Sequence, residues 1–171
     1  MPKRSSLLAL AGFGAATAAA AWYGSRYSPR DPETRRWYAR LAKPRLNPPD
    51  AVFPVVWTSL YALMTISAYR VWQSEDSPER SRALRLWVTQ LASNAQWTKL
   101  FFGKHRPDLA LADIFTLEST ILAYIATTRK VDRAAAGMFI PYAAWVAFAT
   151  YLNAEIARKN PDARTLRPRA A

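Results

Sequence analysis

Five blocks of apolar sequence, each about twenty residues long, alternate with links rich in proline and arginine. A helix rises 1.5 Å per residue, so such a block reaches ~30 Å, the thickness of a bilayer's hydrocarbon core. Lipid offers the backbone no hydrogen-bond partners, and a segment of this kind must satisfy its own as a helix. The blocks run over about 5–24, 51–73, 82–102, 108–128 and 134–157. The expected fold is all-α, an integral membrane bundle of five transmembrane helices. It forms one domain over 1–160, followed by a basic disordered tail over 161–171.

The mean hydropathy is only −0.15, which would suggest a water-soluble chain. That average misleads because the cations cluster between the blocks and the spans show only in a window. The formal charge is +12, yet the cations form no stripe along one element, so no nucleic-acid partner is expected. Anionic lipid headgroups are the expected counter-charge. The first block follows Lys3 and Arg4 and exceeds the apolar core of a signal peptide, so it is read as a retained span. Within it Gly14 and Ala18 permit close approach of another helix.

The links carry their own signals. Pro29, Pro32, Pro44, Pro48 and Pro49 forbid one continuous helix between the first two blocks. Trp37 to Leu41 reads as a short amphipathic piece lying at the interface. Asp50 reads as the N-cap of the second block. Residues 103–107 read as a tight turn, with His105 in a loop. Nine of the 24 cations flank the side holding the amino terminus, the second link and the fourth link; fifteen flank the other. The positive-inside rule then places the carboxyl terminus in the cytoplasm.

Helical spacing selects three aromatic faces. Trp57, Tyr61 and Met64 share one, Gln90, Asn94, Trp97 and Phe101 a second, and Tyr142, Trp145, Ala149 and Leu152 a third. Amides gain nothing from lipid, so Gln90 and Asn94 turn inward. Aromatic walls with a few polar groups suit a small-molecule site, and plain helix packing is the competing reading. Glu118 is the costliest placement, at about 2.5–3.5 kcal/mol for a charge deep in a span, and is expected protonated or paired across helices. Asp113 lies nearer its helix start, about 140° around from Glu118, so the two form no acid–base pair. The chain has no cysteine and one histidine. No catalytic set and no metal-ligand set can be assembled, and a binding role is expected rather than an enzymatic one.

Four segments, WYARLAKPRLNPP, VFPVVWTSLYALM, QLASNAQWTKLFFG and PYAAWVAFATYLN, together resemble the TspO/MBR family, the tryptophan-rich sensory and translocator proteins. The resemblance runs from Trp37 to Asn160. It implies a five-helix fold, usually a homodimer, that binds porphyrins such as protoporphyrin IX and in some members cholesterol, in a pocket closed by the first loop. Carried over by motif, the site residues are Tyr38 on the lid, Trp57 and Tyr61, then Asn94, Trp97 and Thr98, then Trp145 and Ala149. No cofactor is required. The implied function is porphyrin binding linked to transport, turnover or signalling; the alternatives are light- or oxygen-dependent porphyrin breakdown and transport of cholesterol or other small molecules. For sterol, Val146 and Tyr151 fit the proposed motif, but Arg158 follows after six residues where five are allowed. The expected setting is a multi-pass protein of a bacterial envelope rather than a mitochondrial outer membrane.

Overall fold

The computed structural model describes residues 6–29 and 31–163, and among them there are helices and turns but no strands. Seven helices follow in order: α1 (Ser6–Ser25), α2 (Pro32–Arg40), α3 (Val52–Gln73), α4 (Pro78–Thr98), α5 (Pro107–Thr128), α6 (Arg133–Met138) and α7 (Ile140–Lys159). A π-helical turn, Lys99–Gly103, extends α4.

Local chemistry sets the boundaries. Asp31 accepts from the N–H groups of Glu33 and Thr34, and Pro32 supplies a preset first turn, so α2 starts there. It is longer than the Trp37–Leu41 piece expected from sequence because that cap lies six residues upstream. Ser77 and Pro78 do the same for α4, which therefore begins four residues before the expected 82. Asp132 caps α6. Asp50 does not cap α3: Ala51 occupies the cap position without a side-chain bond, and the Asp50 carbonyl accepts from Phe53 N–H instead. Pro141 has no N–H to give and crowds the carbonyl four residues back, so the last block breaks at Phe139 into α6 and α7. Asp31→Ala should cost α2 about 1 kcal/mol. Hydrogen exchange of the α2 amides measures this; protection equal to wild type would exclude the cap.

Among the described residues four stretches are long and apolar enough to cross a membrane: α1, α3, α5 and the α6–α7 pair. The sequence reading expects five. α4 is also 21 residues long, but Arg80, Arg82 and Arg85 near its start and Gln90, Asn94 and Gln96 beyond keep it more polar than the others. Its buried face is nonetheless continuous, with Ala83, Trp87, Gln90, Leu91, Asn94 and Ala95.

α4 packs on α5 and α1, α5 on α7, and α3 on α1 and α6. The main core joins Met64, Ala68 and Val71 of α3, Trp87 of α4, Ile121 and Tyr124 of α5 and Phe139 and Tyr142 near the break. Ser67 ties this core across helices, bonding the Tyr124 hydroxyl at 2.8 Å and donating to the Ala135 carbonyl at 2.8 Å. On α1, a Cβ on Gly14 would meet the Thr65 methyl at 3.9 Å, and Thr65 donates to Thr17 at 3.0 Å. A second, smaller core sits where α2 meets the π-turn, the start of α5 and the end of α7. It holds Trp37, Leu41, Phe101, Ala110, Ile156 and Ala163. The short turn at 161–163 thus packs back on the protein; the rest of the expected tail, 164–171, lies outside the described residues.

Candidate ligand site

Asn94 is the hub. Its side chain is buried on α4, with one end facing α3 and the other α7. Tyr61 donates its hydroxyl proton to Asn94 Oδ1 at 3.2 Å, and Asn94 Nδ2 donates to the Tyr142 hydroxyl at 3.1 Å. Three helices are thereby pinned at one depth. The Trp57 ring lies 5.3 Å from that of Tyr61 and 6.2 Å from that of Tyr142, centroid to centroid. Two phenols, an indole and an amide therefore share one wall.

Toward α2 the wall continues through Trp97. Its ring stacks on Phe101 at 5.1 Å, and its Nε1 donates to Asn153 Oδ1 at 3.0 Å. Asn153 in turn donates to the Pro107 carbonyl at 2.7 Å, fixing α7 to the first residue of α5. The π-turn makes this possible: one extra residue per turn re-aims Phe101 and Phe102, which meet at 4.8 Å. Tyr38 of α2 rests its ring on Phe102 at 5.5 Å and donates to Asn47 Oδ1 at 3.3 Å. Lys43 stands 3.9 Å over that ring, a cation–π contact. Burial raises the Tyr38 phenol above its ordinary value, so it is neutral near pH 7 and acts as a hydrogen-bond donor.

Of the residues chosen from sequence, Trp57, Tyr61 and Asn94 meet in one network, Trp97 joins its upper edge, and Tyr38 caps the second core. Trp145 is half-buried and reaches α3 through Phe53, at 5.9 Å, not through Trp57. It lines an apolar groove of about 480 Å³ between α3 and α7, with Val55, Ser59, Pro141 and Phe148. Ala149 packs against the main core. Thr98 turns to α1: a Cβ on Gly24 would meet its Oγ1 at 3.4 Å.

Asn153 is a polar member of this wall that sequence reasoning did not select, and Tyr142, placed on the third aromatic face, is not among the site residues carried over by motif. A signal existed for Tyr142. An amide has a donor end and an acceptor end, and Tyr142 was the hydroxyl on the facing aromatic stripe. Gln90 is fully buried, as its inward face implied, but neither end of its amide has a partner in the protein. Glu118 is half-buried and accepts from Thr150 Oγ1 of α7 at 3.3 Å, a pairing across helices. Asp113 accepts from Gln96 of α4 at 2.8 Å. His105 has φ 54° and stacks on Trp37 at 4.3 Å. Burial lowers the proton affinity of its imidazole. Among the described residues no group of three His, Cys, Asp or Glu is placed to hold a metal ion.

Known proteins are similar in sequence to this chain. The profile of the TspO/MBR family matches residues 9–158. A tryptophan-rich sensory protein of Cereibacter sphaeroides is 43% identical over 131 residues, covering 75% of this chain and 81% of the relative. Protein CrtK of Rhodobacter capsulatus is 37% identical over 164 residues, covering 94% and 98%. The human translocator protein is 35% identical over 151 residues, covering 87% and 88%. The apolar helices and these matches together make the protein a multi-pass membrane protein, and the chain belongs to the TspO/MBR family.

Proposed function

We propose that this protein binds a flat tetrapyrrole, protoporphyrin IX or a close analogue, inside a bundle of five membrane-crossing helices. The observation that carries the reading is the Tyr61–Asn94–Tyr142 bridge beneath Trp57. It supplies a fixed polar point in an aromatic wall, the makeup of a small-molecule site. Indole and phenol faces stack on a macrocycle, and the amide and hydroxyls meet its polar edge. α4 is the fifth span. Gln90 and Asn94 face inward, so the polarity of its buried face follows from the site.

The side bearing fifteen of the 24 cations, with α2 and the carboxyl terminus, faces the cytoplasm of a bacterium. The protein acts as a homodimer in this reading, with porphyrin binding serving transport, turnover or signalling.

The test is quenching of tryptophan fluorescence by protoporphyrin IX with protein in lipid nanodiscs. Trp57→Ala removes a ring that touches both phenols and should weaken binding about tenfold or more. Trp145→Ala, one helix turn from Tyr142, should weaken it severalfold. Wild-type affinity in both variants would refute the site.

A further inference from the structure

The carboxyl end of α7 touches the segment that follows α1 at two points far apart in sequence. Asn160 pairs with Ala42 as one peptide unit pairs with another: its Oδ1 accepts from Ala42 N–H at 2.9 Å, and its Nδ2 donates to the Ala42 carbonyl at 3.1 Å. The same Nδ2 donates to the Ile156 carbonyl at 2.8 Å, which fixes the amide against the last turn of α7. Three residues on, the chain turns back through a bond from Ala163 N–H to the Asn160 carbonyl, 3.0 Å. That turn presents the Ala163 carbonyl to Trp37, whose Nε1 donates to it at 2.9 Å. Trp37 is 3% exposed and Ala163 also 3%, so water does not compete for this bond.

What these bonds hold is α2. Beside them, α2 makes ring contacts of Trp37 and Tyr38 with Phe101, Phe102 and His105. Its other faces carry exposed Arg35, Arg36 and Arg40. Ala42 lies two residues beyond the end of α2, and Tyr38 lies one turn before Ala42. Displacing this segment from Asn160 therefore carries Tyr38 off Phe102 and uncovers the Trp97 edge of the wall.

We infer that Asn160 is a positioning residue that latches α2 shut over the candidate site, with the Trp37–Ala163 bond as its second point. The inference rests on the reading of the aromatic wall as a ligand site, but its first test does not. The side chain at 160 must be both donor and acceptor at one length. Aspartate retains the acceptor and loses the donor, and leucine retains the shape and loses both. A latched lid governs the rate of passage in both directions more than the stability of the filled site.

The experiment uses the full chain in lipid nanodiscs and two readouts. The first is the rate of trypsin cleavage at Arg35, Arg36 and Arg40, with cleavage at Arg82 and Arg85 of α4, at the opposite end of the bundle, as a control. Asn160→Leu should accelerate cleavage in α2 about tenfold and leave the α4 sites unchanged. Asn160→Asp should fall between leucine and wild type, and Trp37→Phe, which keeps the ring and loses the donor, should also accelerate it. The second readout is stopped-flow quenching by protoporphyrin IX. Association and dissociation should quicken by similar factors in Asn160→Leu, with Kd changed less than threefold.

Wild-type cleavage of α2 in Asn160→Leu would overturn the latch, as would equal acceleration at the α4 sites. If Asn160→Leu does not fold, Asn160→Asp and Trp37→Phe decide by the same criteria. If wild-type protein shows no quenching, the tetrapyrrole reading fails while the cleavage rates still judge the latch.

Discussion

Asn94→Ala is expected to unfold the bundle at a clearly lower temperature and to abolish saturable quenching by protoporphyrin IX. The substitution removes the only bonds that join the Tyr61 and Tyr142 hydroxyls to α4. Tyr142 is fully buried, and its hydroxyl then has neither water nor amide to bond. An unsatisfied buried hydroxyl costs about 1–3 kcal/mol, and two are left, one of them partly exposed, so a total loss of about 3 kcal/mol is expected. A conservative triple variant separates stability from binding. Tyr61→Phe, Asn94→Leu and Tyr142→Phe together replace the whole polar bridge by apolar groups of similar shape, which is nearly neutral for folding. That protein should melt close to wild type and still fail to bind porphyrin. If it binds normally, the bridge is scaffold only; if Asn94→Ala melts like wild type, the bridge contributes nothing to the fold.

The second large effect is expected at Gly103. Its φ is ordinary, and the constraint is space. A Cβ there would lie 2.6 Å from Cδ1 of Tyr27, closer than any real contact of that type. The Tyr27 ring closes the gap between the end of α1 and the π-turn, and packs on Tyr23 at 5.4 Å. Gly103→Ala must push that ring aside or shift the turn that aims Phe101 and Phe102. Overpacking of this kind costs about 1–3 kcal/mol. The clash identifies its own suppressor: Gly103→Ala with Tyr27→Ala should be more stable than Gly103→Ala alone. Chemical denaturation of the four proteins gives the coupling as a double-mutant cycle. Purely additive losses would show that the ring yields without resistance.

Much of this molecule was legible before any coordinates. The apolar blocks, the proline-rich first link and the inward faces of α3, α4 and α7 follow from residues within one or two turns of each other. The features that escaped notice depend on caps and breaks within the segments and on contacts between helices. Ser77 moved the start of α4 because a cap outweighs a hydropathy boundary, and Pro141 divided the last block because a missing N–H outweighs apolar continuity. Spacing placed Trp145 on an inward aromatic face, and its ring contact with α3 is to Phe53. Spacing fixes which side of a helix a ring leaves from; it says nothing of how far the neighbouring helix is rotated. Thr98 was assigned to the site by motif, yet its helix position points it at Gly24.

Sequence alone determined that the chain is a membrane bundle with aromatic and amide faces turned inward. Helical period and the absence of hydrogen-bond partners in lipid act on each segment separately, so no neighbour need be known. Only the tertiary structure decided that Asn94 answers two phenols on two helices, and that Ala42 and Trp37 are held from positions 118 and 126 residues away. Those pairings require the depth and rotation of several helices at once, and these are set by how all the helices pack against one another.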